Sequence, residues 1–357
     1  MHSPLLDEER RDFVEGVRRF ASEELADPAL GTRDGAGEFW REGWSRCASR
    51  GLCGLPAPEE HGGAGADRVT TAATLEALGR ECPDAGLLFS LNAHLWSAVV
   101  PLWQHGTDEQ RERYLPRLCS GEWIGLHAMT EPDSGSDAFS LRTVAAPDGD
   151  GHRLRGSKAL ITNAPLASLF LIFARAPGSE GALGVSAFIV EAGAGGLSVG
   201  RPADKLGLRT SPMADLTLED VRVGPEALLG KPGRGARVFA SSMEWERLLI
   251  MASQLGALQR ELEDAVRNGR SHPDGLVNIG VELAASRALL YETAWAYDHG
   301  ETRAGPAAAV KLLASETVLR ATLDLPDDRR FRDAVGGRLY SGTSQLMRRI
   351  VARDMGL

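Results

Sequence analysis

The chain has 357 residues, 43% of them hydrophobic and 25% charged, which is enough to bury several packed layers and predicts two or three domains. Forty-nine acidic against forty basic side chains give a formal net charge of -9. That balance argues against a general nucleic-acid binder, whose affinity needs clustered Lys and Arg, while leaving small acidic ligands open. Cys47, Cys53, Cys82 and Cys119 show no paired C-x-x-C spacing, so reduced thiols are expected, with neither a metal site nor a disulfide framework.

At the N-terminus Asp7, Glu8 and Glu9 precede Phe13, Val17 and Phe20, the start of an amphipathic helix and not a signal peptide. No apolar run is expected to span a bilayer, so a cytoplasmic protein is expected. The helical period holds through residues 1–122: Leu6, Phe13, Val17 and Phe20 share one face, and Trp40, Trp44 and Cys47 another. Thr107 and Gln110 form a capping-box pair that opens a further helix. Over residues 123–232 the texture changes to short apolar or alternating runs at 169–174, 185–190 and 216–223, and Asp148-Gly149-Asp150-Gly151 reads as a hairpin turn. From 233 to 357 the helical period returns, at 238–266, 281–297, 306–323 and 344–355. Helix, sheet, helix is the predicted order.

Three motifs carry chemistry. Met129-Thr130-Glu131-Pro132-Asp133-Ser134-Gly135-Ser136-Asp137 is a turn rich in Gly, Ser and Asp, which exposes N–H groups and hydroxyls together, as a phosphate or polar heteroaromatic edge requires. Alone it could be just a loop. Gly156-Ser157-Lys158-Ala159-Leu160-Ile161-Thr162-Asn163 and Tyr340-Ser341-Gly342-Thr343-Ser344-Gln345 follow it in order.

With these three, and Lys205 to Ser211 as K-L-G-x-R-x-S, the chain resembles the acyl-CoA dehydrogenases over nearly its whole length. The resemblance implies an α+β multidomain fold: an N-terminal helical domain, a central β domain and a C-terminal four-helix bundle, with flavin adenine dinucleotide (FAD) between sheet and bundle. It further implies that His127, Met129 and Thr130 meet the flavin ring and that Gly135 and Ser136 approach the pyrophosphate. Leu160 stands where an aromatic usually covers the flavin face, next to Ile161, and Thr162 lies near the reactive flavin nitrogen. Thr343 and Gln345 contact the cofactor from the last helix. Without the family pattern, each of these hydroxyls could equally be a turn or cap hydrogen bond.

The family reaction removes the proton next to a thioester carbonyl while hydride leaves the adjacent carbon, and donors already in place must stabilise the developing enolate oxygen. One implied donor is the N–H at Ser341, in the turn with Gly342. Most members carry the basic Glu at the position of Ser341, and a neutral serine cannot do that work unaided. Glu246, in Met243-Glu244-Trp245-Glu246-Arg247-Leu248, puts a carboxylate inside an apolar helical stripe, and taken alone could simply pair with a nearby Arg. Isovaleryl-CoA and long-chain acyl-CoA dehydrogenases place their base on this helix in an E-R-L sequence, so the resemblance implies Glu246 as base and Arg247 near the thioester arm.

Two segments familiar from the family are shortened, at residues 266–278 and 325–328, by roughly a dozen residues each, about 18 Å of helix. In the family they hold the adenine half of FAD bound by a neighbouring subunit. Three functions therefore stay open: α,β-dehydrogenation of an acyl thioester on coenzyme A or an acyl-carrier protein, other flavin chemistry on a carrier-bound acyl group (oxidase, oxygenase or cyclisation), or a scaffold without FAD. Expected partners are the thioester, an electron-transfer flavoprotein and further copies of the chain in a homodimer or homotetramer.

Overall fold

The computed structural model of the protein describes residues 5–269, 272–325 and 327–357. Seven α-helices come first: α1 (Glu8–Glu24), α2 (Leu30–Ala36), α3 (Arg41–Ser49), α4 (Arg68–Glu81), α5 (Ala85–His94), α6 (Val100–His105) and α7 (Asp108–Cys119). Side chains fix several starts: Asp7, Asp67 and Asp84 accept first-turn N–H groups of α1, α4 and α5, and Thr107 and Gln110 form the expected capping box of α7. A π-helical turn, Leu95–Val99, joins α5 to α6. The resulting stretch Ala85–His105 is long and apolar enough to cross a membrane, contrary to the reading of the sequence, but 83% of its window is buried inside the protein. It is the central helix of the core.

The middle of the chain forms one eight-stranded sheet: β1 (Gly125–Ala128), β2 (Val144–Asp148), β3 (Gly151–Thr162), β4 (Leu169–Arg175), β5 (Val185–Glu191), β6 (Leu197–Val199), β7 (Met213–Val223) and β8 (Leu228–Leu229), in the order β6-β7-β3-β2-β4-β5-β8 with β1 on β4. The turn foreseen at Asp148 to Gly151 closes the β2–β3 hairpin, with Gly149 at φ +67°. The β3–β7 register shifts between Lys158 and Ile161, a bulge that turns Leu160 outward.

Helices α8 (Gly235–Leu249), α9 (Ala252–Asn268), α10 (Pro273–Asp298), α11 (Ala304–Asp324), α12 (Asp328–Gly336) and α13 (Ser344–Asp354) complete the chain. The helix expected over 238–266 is two, because a turn at Ile250 and Met251 interrupts it. Both residues are buried, so the break lies in the core. Helix α12 is an addition to the sequence reading. Helices α4 and α9 cross at glycines: a Cβ on Gly79 would lie 1.8 Å from the Ser253 carbonyl oxygen, and one on Gly256 1.9 Å from that of Glu76. This close crossing locks the first helical layer to the last. The four cysteines are buried and free, as expected.

Candidate active site

Glu246 lies in the last turn of α8, between buried Trp245 and Leu248. Its Oε1 accepts a 2.5 Å hydrogen bond from the Ser341 hydroxyl, whereas its Oε2 is buried and meets no donor among the described residues. Loss of solvation raises the Glu246 pKa above the ordinary carboxylate value, and the Ser341 bond and the charges of Arg247 and Lys311 oppose that rise. A carboxylate with one oxygen held and the other unclaimed suits a proton acceptor.

Ser341 sits in a tight turn between α12 and α13. It has φ +57° and Gly342 has φ +100°. A left-handed Ser costs about 1–2 kcal/mol, so neighbouring contacts must hold it there. Two are visible: Arg247 Nε donates to the Ser341 carbonyl at 3.2 Å, and Lys311 Nζ to the Gly342 carbonyl at 2.7 Å. Lys311 has no solvent exposure, and burial first, then the Arg247 charge, lowers its pKa to about 8. The N–H groups of Ser341 and Gly342 find no acceptor among the described residues, leaving donors at the turn for a developing oxyanion. Tyr340 closes the wall, its ring centroid 4.6 Å from that of Phe89 and its hydroxyl 3.3 Å from Met251 Sδ.

The Thr130 to Asp137 loop is anchored at Glu131, whose carboxylate accepts from the N–H groups of Arg142 (2.6 Å) and Thr143 (3.0 Å) and from Lys158 Nζ (2.8 Å). Lys158 is fully buried and Glu131 nearly so. Despite burial, the Lys158 charge and the N–H donors hold the Glu131 carboxyl below its usual value, which favours the ionised pair. Thus pinned, the loop presents an exposed Gly135 and Ser136, whose N–H groups have no acceptor among the described residues. The space where a Gly135 side chain would stand is empty. Such a loop can receive a pyrophosphate.

Leu160, at φ +59° and 61% exposed, is held in the bulge by its N–H on Asp215 Oδ1 at 2.9 Å. The adjacent Ala159 N–H donates to the Thr130 carbonyl, which ties bulge to loop. An exposed leucine on strained backbone, beside the part-exposed Thr130 and Thr162, suits the face of a flat apolar ring. Met129 and Ile161 are buried; Ile161 packs in the sheet core, so it can offer a ligand only backbone. The His127 ring packs tilted against Phe239, centroids 5.4 Å apart, and burial lowers its pKa to about 4, which leaves it neutral. Thr343 caps α13 through the Leu346 N–H, and Gln345 is exposed on the first turn.

Glu246, Arg247, Ser341 and Gly342 therefore meet, as do the loop at Thr130 and the bulge at Leu160. Lys311, Lys158 and Asp215 were missed as site residues. Lys311 did carry a signal: it follows Ala307 and Val310 and precedes Ala314 at core spacing. The two shortened connections stand together, because a Cβ on Gly275 of α10 would lie 3.1 Å from the Asp324 carboxyl of α11. Of those segments, residues 270, 271 and 326 lie outside the described residues.

Sequence models of the acyl-CoA dehydrogenase N-terminal, middle and C-terminal domains match residues 7–122, 127–221 and 233–356. The L-prolyl-[peptidyl-carrier protein] dehydrogenase of Pseudomonas fluorescens is 36% identical over 89% of this chain and 91% of its own, and that of a Serratia species 32% over 99% and 98%. Isovaleryl-CoA dehydrogenase of Oryza sativa is 32% identical over 99% of this chain and 92% of its own. Among solved structures, the prolyl acyl carrier protein oxidase AnaB superposes with a TM-score of 0.95 at 36% identity, covering 99% of this chain and 100% of that one. PigA with FAD and proline superposes with a TM-score of 0.95 at 32% identity, covering all of both chains.

Proposed function

Because the chain belongs to the acyl-CoA dehydrogenase family, we propose that it oxidises an acyl thioester with FAD, that Glu246 is the base, and that the acyl group is L-prolyl on a peptidyl-carrier protein. One observation carries the base assignment: Glu246 Oε2 is buried and unclaimed while Oε1 is fixed by Ser341. The acyl assignment is supported by relatives named for L-prolyl carrier-protein oxidation. Bound FAD supplies the acceptor for the hydride from the β-carbon. The protein's own part is to take the α-proton on Glu246 and to hold the thioester carbonyl at the Ser341 and Gly342 N–H groups as its oxygen gains charge. Leu160 and Thr162 flank the ring, with Gly135 and Ser136 at the pyrophosphate. Neutral His127 and Met129 line the inner wall with Thr130; Thr343 and Gln345 reach in from α13.

A homo-oligomer is part of the same reading. Val277, Val281 and Trp295 stand exposed along α10, an apolar stripe suited to a second copy. The test is anaerobic: the purified flavoprotein is mixed with an L-prolyl thioester on a carrier protein and, separately, with short-chain acyl-CoA. Bleaching of the flavin by the prolyl carrier supports the proposal. A flavin bleached by acyl-CoA alone would refute the acyl assignment, and one bleached by neither would refute the reaction. A second reading, reoxidation by oxygen instead of an electron-transfer flavoprotein, is favoured by the relative named an oxidase; peroxide formed in air would show it.

A further inference from the structure

The N-terminus of α8 carries an arrangement that costs stability and that the chemistry above leaves unused. Lys231, Arg234 and Arg237 are all exposed and stand three residues apart, linked by the Arg234 N–H on the Lys231 carbonyl and the Arg237 N–H on the Arg234 carbonyl. The first turn of α8 has no acidic residue. Cations at the positive end of a helix dipole are unfavourable, and none of the three forms an ion pair among the described residues. Many arginines elsewhere in this acidic chain meet carboxylates, Arg10, Arg33, Arg46, Arg68 and Arg80 among them. Burial, then the charges of Arg237 and Arg111, lower the pKa of neighbouring His105, so the positive field extends onto the end of α6. Beside the cluster stands Leu183, 79% exposed, whose carbonyl oxygen would lie 2.6 Å from a Cβ on Gly233.

Arg234 precedes Glu246 by twelve residues of the same helix, about 18 Å at 1.5 Å per residue. An extended phosphopantetheine arm spans about that distance. We infer that Lys231, Arg234 and Arg237, with Leu183 beside them, form the docking surface for an acidic carrier protein, which rests on this face while its arm carries the thioester along α8 to Glu246. The inference deepens the functional proposal and rests on it. Charge complementarity selects the partner: unpaired cations at a rim speed encounter with an acidic helix and orient it, and an adjacent exposed leucine adds apolar surface that docking can bury. A coenzyme A thioester has the same arm but no protein face to meet three cations and Leu183 together.

The test compares wild type with the triple variant K231E/R234E/R237E on three L-prolyl thioesters: one on a holo-carrier protein, one on coenzyme A and one on pantetheine alone. The expected result is a KM for the carrier substrate raised by about tenfold at low salt, with kcat unchanged and pantetheine kinetics untouched. Added NaCl should raise the wild-type carrier KM and leave that of the variant flat. An unchanged carrier KM overturns the inference. So does an equal loss on the coenzyme A thioester, which would mean that the cations read phosphate, or on pantetheine, which would mean a damaged site. Binding of the holo-carrier, followed by fluorescence anisotropy without turnover, separates docking from chemistry: salt-sensitive binding that the variant loses, with no flavin bleaching by any substrate, would sink the reaction and keep the docking surface.

Discussion

The Ser341 hydroxyl donates a 2.5 Å hydrogen bond to Glu246 Oε1 across ninety-five residues of sequence. It joins the turn before α13 to the end of α8 and leaves Oε2 as the one unengaged oxygen of the carboxylate.

Glu246→Gln should abolish flavin bleaching while FAD stays bound, read by anaerobic spectroscopy. The substitution should also stabilise the fold in one pH window. Burial raises the carboxyl pKa in the folded state, so the folded chain binds the proton more tightly and the group's contribution to stability is lost as pH rises through the folded value. The variant should therefore melt higher than wild type at pH 8, with the two converging below the ordinary glutamate pKa. A Tm difference independent of pH would contradict the buried carboxylate.

Ser341→Ala removes a donor that favours the ionised base. The acid limb of the pH profile for flavin reduction should move to higher pH by about one unit, since a hydrogen bond to a charged group contributes about 1.5–3 kcal/mol and each pKa unit is about 1.4. Ser341→Gly should show the same shift but melt higher than Ser341→Ala, because glycine accepts φ +57° without strain. Identical melting curves would argue that the turn is unstrained.

Lys311→Met should slow flavin reduction and also move the acid limb upward, because Lys311 both holds the Gly342 carbonyl and opposes protonation of Glu246. Retained FAD, seen in the visible spectrum, would separate this effect from unfolding. An unmoved acid limb would reduce Lys311 to a packing role.

Lys158→Met leaves Glu131 buried without its cation. Breaking a buried pair in this way costs about 3–5 kcal/mol, so urea unfolding should shift strongly and FAD should be lost with the loop geometry. A variant that keeps both would show that the two backbone N–H groups alone hold Glu131.

Much of this was legible in the chain. Period 3.6 gave way to short runs and returned, which marked the three zones; Thr107 with Gln110 and Asp148 to Gly151 are local signals whose geometry needs nothing distant. The T-E-P-x-S-G-S-D loop carried the family resemblance, and through it the E-R-L helix pointed to Glu246 as the proposed base, because motif order survives in one dimension. The membrane-length apolarity of Ala85–His105 was overlooked, and hydropathy alone could not have told a core helix from a membrane span.

Residue types, their spacing and the family motifs determined the fold class and the sheet between two helical regions, and pointed to Glu246 as the proposed base. What only the tertiary structure decided was the state of that base: which oxygen is held, which is unclaimed, and which cations surround it. Those depend on Ser341 and Lys311 arriving at the end of α8 from the turn before α13 and from α11. Solvation and electrostatic fields act through space over a few ångströms, and no local pattern in the chain records them.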